Sequence, residues 1–197
     1  MCSSDLAHRP HEHRILILMK LKNVALNLPV YFLYVFGSCI LVMLTEALLI
    51  AVIDKFVVLP YSVLTIVRIV IYTAGVTAIL AVLGYYEGYR EGICPVGETV
   101  VSSVLASVLH LLFAMLFKFQ GFVSGSVRFT AGLLHNGMNI TYDSLINETP
   151  YGLFLLVFVA YEVIYFTAFT ISKYFGAQKR VIDRADLRRY ENTEYEQ

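Results

Sequence analysis

Residues 30–53 read VYFLYVFGSCILVMLTEALLIAVI, a run of 24 residues whose one charged side chain is Glu46. At a rise of 1.5 Å per residue, about 20 apolar residues in a helix cross the hydrocarbon core of a bilayer. Similar runs follow at about residues 63–86, 99–117 and 151–172. Backbone amides in hydrocarbon must find partners within their own segment, which favours helices. The sequence therefore predicts an all-α membrane protein with four transmembrane helices in an antiparallel bundle.

The composition supports this prediction and narrows the classes of partner. Hydrophobic residues make up 58% of the chain, whereas soluble globular domains are about 45–50% apolar. The charges of the 15 basic and 15 acidic residues cancel, so we expect no nucleic acid as a partner. The apolar composition leads us to expect a lipid bilayer as the surroundings. Cys2, Cys39 and Cys94 have no metal or disulfide spacing, and no nucleotide, haem or hydrolase motif is present. We predict neither a cofactor nor a metal.

The first 18 residues are expected to lie outside the functional chain. Residues 1–6 (MCSSDL) match one reading frame of a common sequencing adapter, and Met19 begins a short basic leader typical of a natural start. This pattern indicates a bacterial gene assembled from environmental DNA, although a real histidine-rich tail is the alternative. We assign residues 19–176 to the transmembrane domain. Residues 177–197 form a charged cytoplasmic tail, in which Lys179 and Asp183 have the spacing of an i,i+4 ion pair.

Basic residues predict the orientation in the membrane, because cytoplasmic segments are enriched in Lys and Arg. The leader, the turn between the second and third spans, and the segment after the fourth span fall on one side of a four-span chain. We expect this side, with both termini, to be cytoplasmic in a bacterial plasma membrane. The basic residues on this side are Lys20, Lys22, Arg90, Lys173, Lys179, Arg180, Arg184, Arg188 and Arg189, against Lys55, Lys118 and Arg128 opposite.

Prolines stand near the predicted start of each span. We expect helix starts near Asn27 and Pro29, near Pro60, near Pro95, and at Thr149 followed by Pro150. In the last case the pattern is typical of a threonine N-cap with proline in the first turn.

Two faces of small residues are candidates for helix packing, because membrane helices associate through close backbone approach. These faces comprise Gly84, Gly88 and Gly92 in the second span, and Ser103, Ser107 and Ala114 with His110 in the third. We favour packing within the chain, and a dimer interface or a substrate path is the alternative.

Ionisable residues within the spans are the principal site candidates, because burying a charge at membrane depth costs a few kcal/mol or more. Glu46 and Arg68 lie at similar depths in the first two spans and are expected to form an ion pair. His110 and Glu162 lie near the middle of the last two spans and are expected to meet. Each pair is interpreted either as a structural bridge or as part of a polar or proton-carrying site.

The connection over residues 118–149 is long and apolar, and we expect it to be an interfacial or re-entrant helical segment. A helix over about residues 126–135, ending near Gly137, would place Val127 and Leu134 on one side. The candidate contacts with a ligand or partner are its polar side chains, Arg128, His135, Asn136, Asn139 and Asp143.

Two classes of function follow from these patterns. The first is a non-catalytic scaffold or accessory subunit that binds other membrane proteins or a second copy of itself. The second is a small transporter or channel subunit that uses Glu46 with Arg68 and His110 with Glu162. A membrane enzyme is less favoured, and its candidate residues would be His110, His135, Asp143 and Glu162.

Overall fold

The fold is built from helices only over the residues that the computed structural model describes, which are 9–92, 95–116 and 125–194. Four segments are long and apolar enough to cross a bilayer: Leu21–Phe56, Tyr61–Glu91, Val96–Phe113 and Tyr151–Ala185. The prediction of an all-α chain with four such segments is confirmed, while the predictions on Cys2, Cys94 and Lys118 fall outside the described residues. The helices are α1 (Arg9–Phe56), α2 (Tyr61–Glu91), α3 (Val96–Leu116), α4 (Gly125–Asn136), α5 (Tyr142–Asn147) and α6 (Tyr151–Glu194).

The first helix begins well before the predicted start near Asn27, and Pro29 lies inside it. Proline removes one intrahelical hydrogen bond and crowds the preceding turn, but membrane helices tolerate it where neighbouring groups compensate. The leader residues before it include good helix formers such as leucine, lysine and alanine. The expectation that Pro29 marks the helix start was therefore wrong.

The other three long helices each begin directly after a proline. The carbonyl oxygens of Pro60, Pro95 and Pro150 accept the first helical hydrogen bond, from Leu64, Thr99 and Phe154 at 3.0, 3.0 and 3.1 Å. Each proline thus occupies the N-cap position, where its missing N–H has no consequence for the helix. The predicted cap at Thr149 was wrong, since among the described atoms its buried Oγ1 has no hydrogen-bond partner.

The α2 and α6 helices form the most extensive contact in the fold. A β-carbon on Gly84 or Gly88 would overlap the backbone carbonyl of Phe169 or Lys173 of α6. Gly176 faces the backbone of Tyr85 in the same manner. Because only hydrogen occupies these positions, the two backbones touch directly. A residue later in α2 contacts a residue later in α6, so the two helices run in the same direction.

The α1 helix packs against α3 and α2. Phe36 of α1 lies edge-on to Phe113 of α3, with ring centroids 5.1 Å apart. Towards the other end of α3, Asn23 Nδ2 donates to Glu98 Oε2 at 3.3 Å. Val42 of α1 fills the space beside Gly75 of α2. The central core gathers residues from all four long helices and from the later helix over residues 125–136.

The outer faces of the bundle are strongly apolar. Leu48, Val82 and Val163 are 71%, 68% and 60% exposed. Soluble monomers rarely expose large continuous apolar areas. The exposed faces are therefore compatible with hydrocarbon surroundings.

The short helix α4 confirms the predicted helix over residues 126–135. Gly137, with φ 62°, follows its end, and its N–H donates to the carbonyl of Leu133 at 2.9 Å. Glycine suits this left-handed position because it has no β-carbon. Val127 is buried against the bundle, but Leu134, seven residues later, is 62% exposed. The neighbouring helices therefore cover only the first part of the shared side.

Candidate functional site: buried ion pairs and a groove between α3 and α6

The structure brings Glu46 and Arg68 together between α1 and α2. Arg68 Nε lies 3.6 Å from Glu46 Oε1, which is too long for a hydrogen bond and leaves an electrostatic contact. The guanidinium group also lies 5.4 Å from the centroid of the Phe129 ring of α4, within the range of a cation–π contact. This pair joins the first hairpin to α4.

The His110 and Glu162 side chains meet inside the bundle and join α3 to α6. His110 Nδ1 lies 2.7 Å from Glu162 Oε1, and Ser107 Oγ donates to Glu162 Oε2 at 3.0 Å. An ionised carboxylate only accepts hydrogen bonds, so Nδ1 carries the hydrogen in that state. The imidazole also packs near Phe158, with ring centroids 5.3 Å apart. The His110–Glu162 contact is therefore a polar interaction beside an aromatic side chain.

A third charged cluster, which the sequence analysis missed, lies where α1, α2 and α6 meet. Lys173 is 1% exposed, and its Nζ donates to Tyr31 Oη at 2.9 Å. The same nitrogen lies 3.0 Å from Glu91 Oε2 and 3.5 Å from Glu87 Oε2. The sequence analysis counted Lys173 among the basic residues of the cytoplasmic side and did not predict its burial between helices. The available signal was the i,i+4 spacing of Glu87 and Glu91 beside the glycine face.

Hydroxyl groups join α4 to the bundle. Tyr161 Oη of α6 lies 2.8 Å from Thr130 Oγ1 of α4. Thr73 Oγ1 of α2 donates to the same tyrosine oxygen at 3.2 Å. Val127 and Ala131 of α4 are also buried. Periodicity within single helices did not indicate this three-helix contact.

The predicted outer contact residues differ in exposure. His135, Asn139 and Asp143 are exposed, while Arg128 is half-buried. Asn136 is also half-buried, and its Nδ2 has no hydrogen-bond partner among the described atoms. None of the five lines the groove described next.

A groove of about 490 Å³ lies between α3 and α6. These two helices contact each other far less than α2 and α6 do, which leaves the space open. Its volume falls within the range of about 300–1,000 Å³ typical of ligand pockets. The walls are mostly aliphatic and aromatic, with hydroxyl groups and one carboxylate. The lining residues are Val100, Ser103, Val104, Ser107, Val108, Leu111, Phe158, Val159, Glu162, Val163, Phe166, Thr167, Thr170 and Ile171.

The two small-residue faces therefore differ in their surroundings. Gly84 and Gly88 lie against α6, whereas Gly92 adopts φ 71° and ends α2 beside the Arg180 side chain. Ser103 and Ser107 line the groove. The side chain of Ala114 lies outside the part of the chain that the structure describes.

Comparisons with protein-family models, curated proteins and solved structures find no match to this chain. Within the described residues, no group of three or more His, Cys, Asp and Glu side chains lies together. Cys39 is a buried free thiol. The argument for function therefore rests on the groove and the buried polar contacts.

Proposed function

We propose that this protein acts in the membrane by binding another bilayer component, as a non-catalytic scaffold or accessory subunit. The observation that carries the proposal is the α3–α6 groove, an apolar surface large enough for a ligand or for side chains of a partner. Other membrane proteins and a second copy of the chain are included among the candidate partners.

The buried polar groups support a binding role over a catalytic one. Glu46 pairs with Arg68 across α1 and α2, and His110 with Glu162 across α3 and α6. Breaking a buried pair leaves an uncompensated charge. Each such pair therefore favours one arrangement of its helices, as a scaffold requires.

The membrane placement is part of the proposal. We assign the protein to a bacterial plasma membrane, with successive spans crossing in opposite directions and both termini in the cytoplasm. Removing the buried Lys173 from the count leaves the exposed Arg90, Lys179 and Arg184 on that side, so the basic bias persists. Protease accessibility of a C-terminal tag measures this orientation.

We also assign α4 to a re-entrant position in the bilayer. Its Thr130 contacts Tyr161, which lies ten residues after the first residue of α6. This separation corresponds to about 15 Å along the helix axis, deeper than a helix lying on the surface would reach.

Site-specific photocrosslinking in native membranes tests the binding role. Val163 lines the groove, whereas Ile164, on the adjacent face of the same helix and at nearly the same depth, does not, so benzoylphenylalanine is placed at each position in turn. Both positions are exposed, at 60% and 47%. We expect a discrete adduct from Val163 and a weaker one from Ile164. Equal labelling at the two positions would contradict the proposal.

The alternative is a small transporter or channel subunit. The observation in its favour is that Glu162, a carboxylate inside the span, lines the groove while bonded to His110. Intramembrane carboxylate–histidine pairs are typical of proton relays.

Replacing Glu46 by Gln and Arg68 by Met, separately and together, distinguishes the two functions. If the pair is structural, each single change lowers thermal stability and the double change restores it, because no unpaired charge remains. Any solute flux into proteoliposomes would also be unchanged. A double variant that folds but loses such flux would favour the transporter.

A further inference from the structure

The α3–α6 groove has the length of one bilayer leaflet. Its lining extends from Val100 to Leu111 on α3 and from Phe158 to Ile171 on α6. At 1.5 Å per residue these stretches are about 16 and 20 Å long. Half of a hydrocarbon core of about 30 Å is about 15 Å. On α6 the lining ends at Ile171, towards the side that is cytoplasmic in the proposed orientation.

The groove is apolar over this length. Its volume of about 490 Å³ is within the range of ligand pockets. The valine, leucine, isoleucine and phenylalanine side chains of its walls suit a hydrocarbon chain that lies along the two helices.

The charges along the groove match such an occupant. Glu162 is the one ionisable residue in the lining, and it already bonds to His110 and Ser107. An apolar chain therefore leaves no new charge uncompensated there. Beyond Ile171, residues 174–185 contain Lys179, Arg180 and Arg184 against Asp183, and Glu98 lies in the first turn of α3, which leaves a net charge of +1 at this end of the groove. This net positive charge favours an anionic headgroup at the cytoplasmic surface.

We infer that the groove holds one acyl chain of an anionic phospholipid from the cytoplasmic leaflet. This inference rests on the proposed binding function and names the bilayer component. The chain packs between Val104 and Val163, and the headgroup lies at the level of the basic segment of α6.

Reconstitution with a photoreactive phospholipid tests this inference. The full-length protein is placed in phosphatidylcholine vesicles that contain phosphatidylglycerol with a diazirine near the end of one acyl chain, and the adducts are mapped by mass spectrometry. We expect labelling at the groove residues of α3 and α6 to exceed labelling around the exposed Leu48 of α1. The same diazirine chain on phosphatidylcholine should label the groove less.

Substitutions that fill the groove give a second readout. Val163→Trp should reduce groove labelling about tenfold, which corresponds to about 1.4 kcal/mol of binding free energy. The matched variant Ile164→Trp, on the adjacent face of α6, should leave it unchanged. If Val163→Trp fails to fold, Val104→Trp with Leu105→Trp provides the same comparison on α3.

The outcomes separate this inference from the proposed function. Groove labelling no stronger than that of the exposed α1 face, or equal with both headgroups, would overturn the phospholipid assignment. If benzoylphenylalanine at Val163 then crosslinks to a protein, the binding function stands with a different partner. If neither probe labels the groove above its control, both proposals fail.

Discussion

At Lys173, an ammonium group lies inside the bundle with Tyr31, Glu87 and Glu91 around it. Burying a charge raises the free energy of the folded state, and this increase is offset only while the partners of the charge remain. The cluster therefore makes the α1–α2–α6 junction sensitive to single substitutions and tolerant of paired ones.

We predict that Lys173→Met destabilises the protein by about 3–5 kcal/mol, the effect of leaving a buried carboxylate unpaired. The double variant Lys173→Met with Glu87→Gln should recover most of this loss, because Glu91 is more exposed, at 34%, and is solvated by water. Unfolding in detergent measures both. Lys179→Met, at an exposed ion pair, is the control and should have little effect. A double variant no more stable than the single one would contradict the structural role.

At the scale of the helices, the glycine face of α2 determines how closely α6 can approach. Gly88 has no room for a β-carbon, whereas Gly37 in the middle of α1 has nothing within 4 Å of that position. Two glycines inside membrane helices therefore differ in what they do. One permits backbone contact, and the other is not needed for packing.

We predict that Gly88→Ala weakens the α2–α6 contact and destabilises the protein by about 1–3 kcal/mol, the usual effect of overpacking. Gly37→Ala should be neutral or stabilising by up to about 1 kcal/mol, because alanine is the better helix former. Thermal unfolding of both variants in the same detergent provides the measurement. Equal stability of the two variants would exclude the close approach at Gly88.

The helices were predictable because run length and hydropathy are local properties. The four spans and α4 appear in the sequence as apolar runs and as a glycine after a helical stretch. The start of α1 was not predictable, since Pro29 suggested a boundary that the preceding helix formers overrode. The burial of Lys173 was not predicted, because a lysine near the end of an apolar run resembles the start of an exposed tail. The groove depends on the distance between α3 and α6, which no single-helix pattern contains.

At the scale of the whole molecule, polar contacts join nearly every pair of neighbouring helices. Glu46–Arg68 joins α1 to α2, His110–Glu162 joins α3 to α6, and Tyr161 joins α6 to α4. In hydrocarbon, apolar surface gives little drive for helices to associate. These contacts and the glycine face therefore define one bundle, and the loose α3–α6 seam is the part left open.

The unbroken length of α6 has a mechanical consequence. This helix runs from Tyr151 to Glu194, about 66 Å at 1.5 Å per residue, roughly twice the thickness of the hydrocarbon core. One wall of the groove and the segment that follows it, residues 174–194, thus belong to one continuous helix. A molecule that separates α6 from α3 at the groove would therefore displace the far end of α6. Conversely, a protein that binds this far end would change the width of the groove.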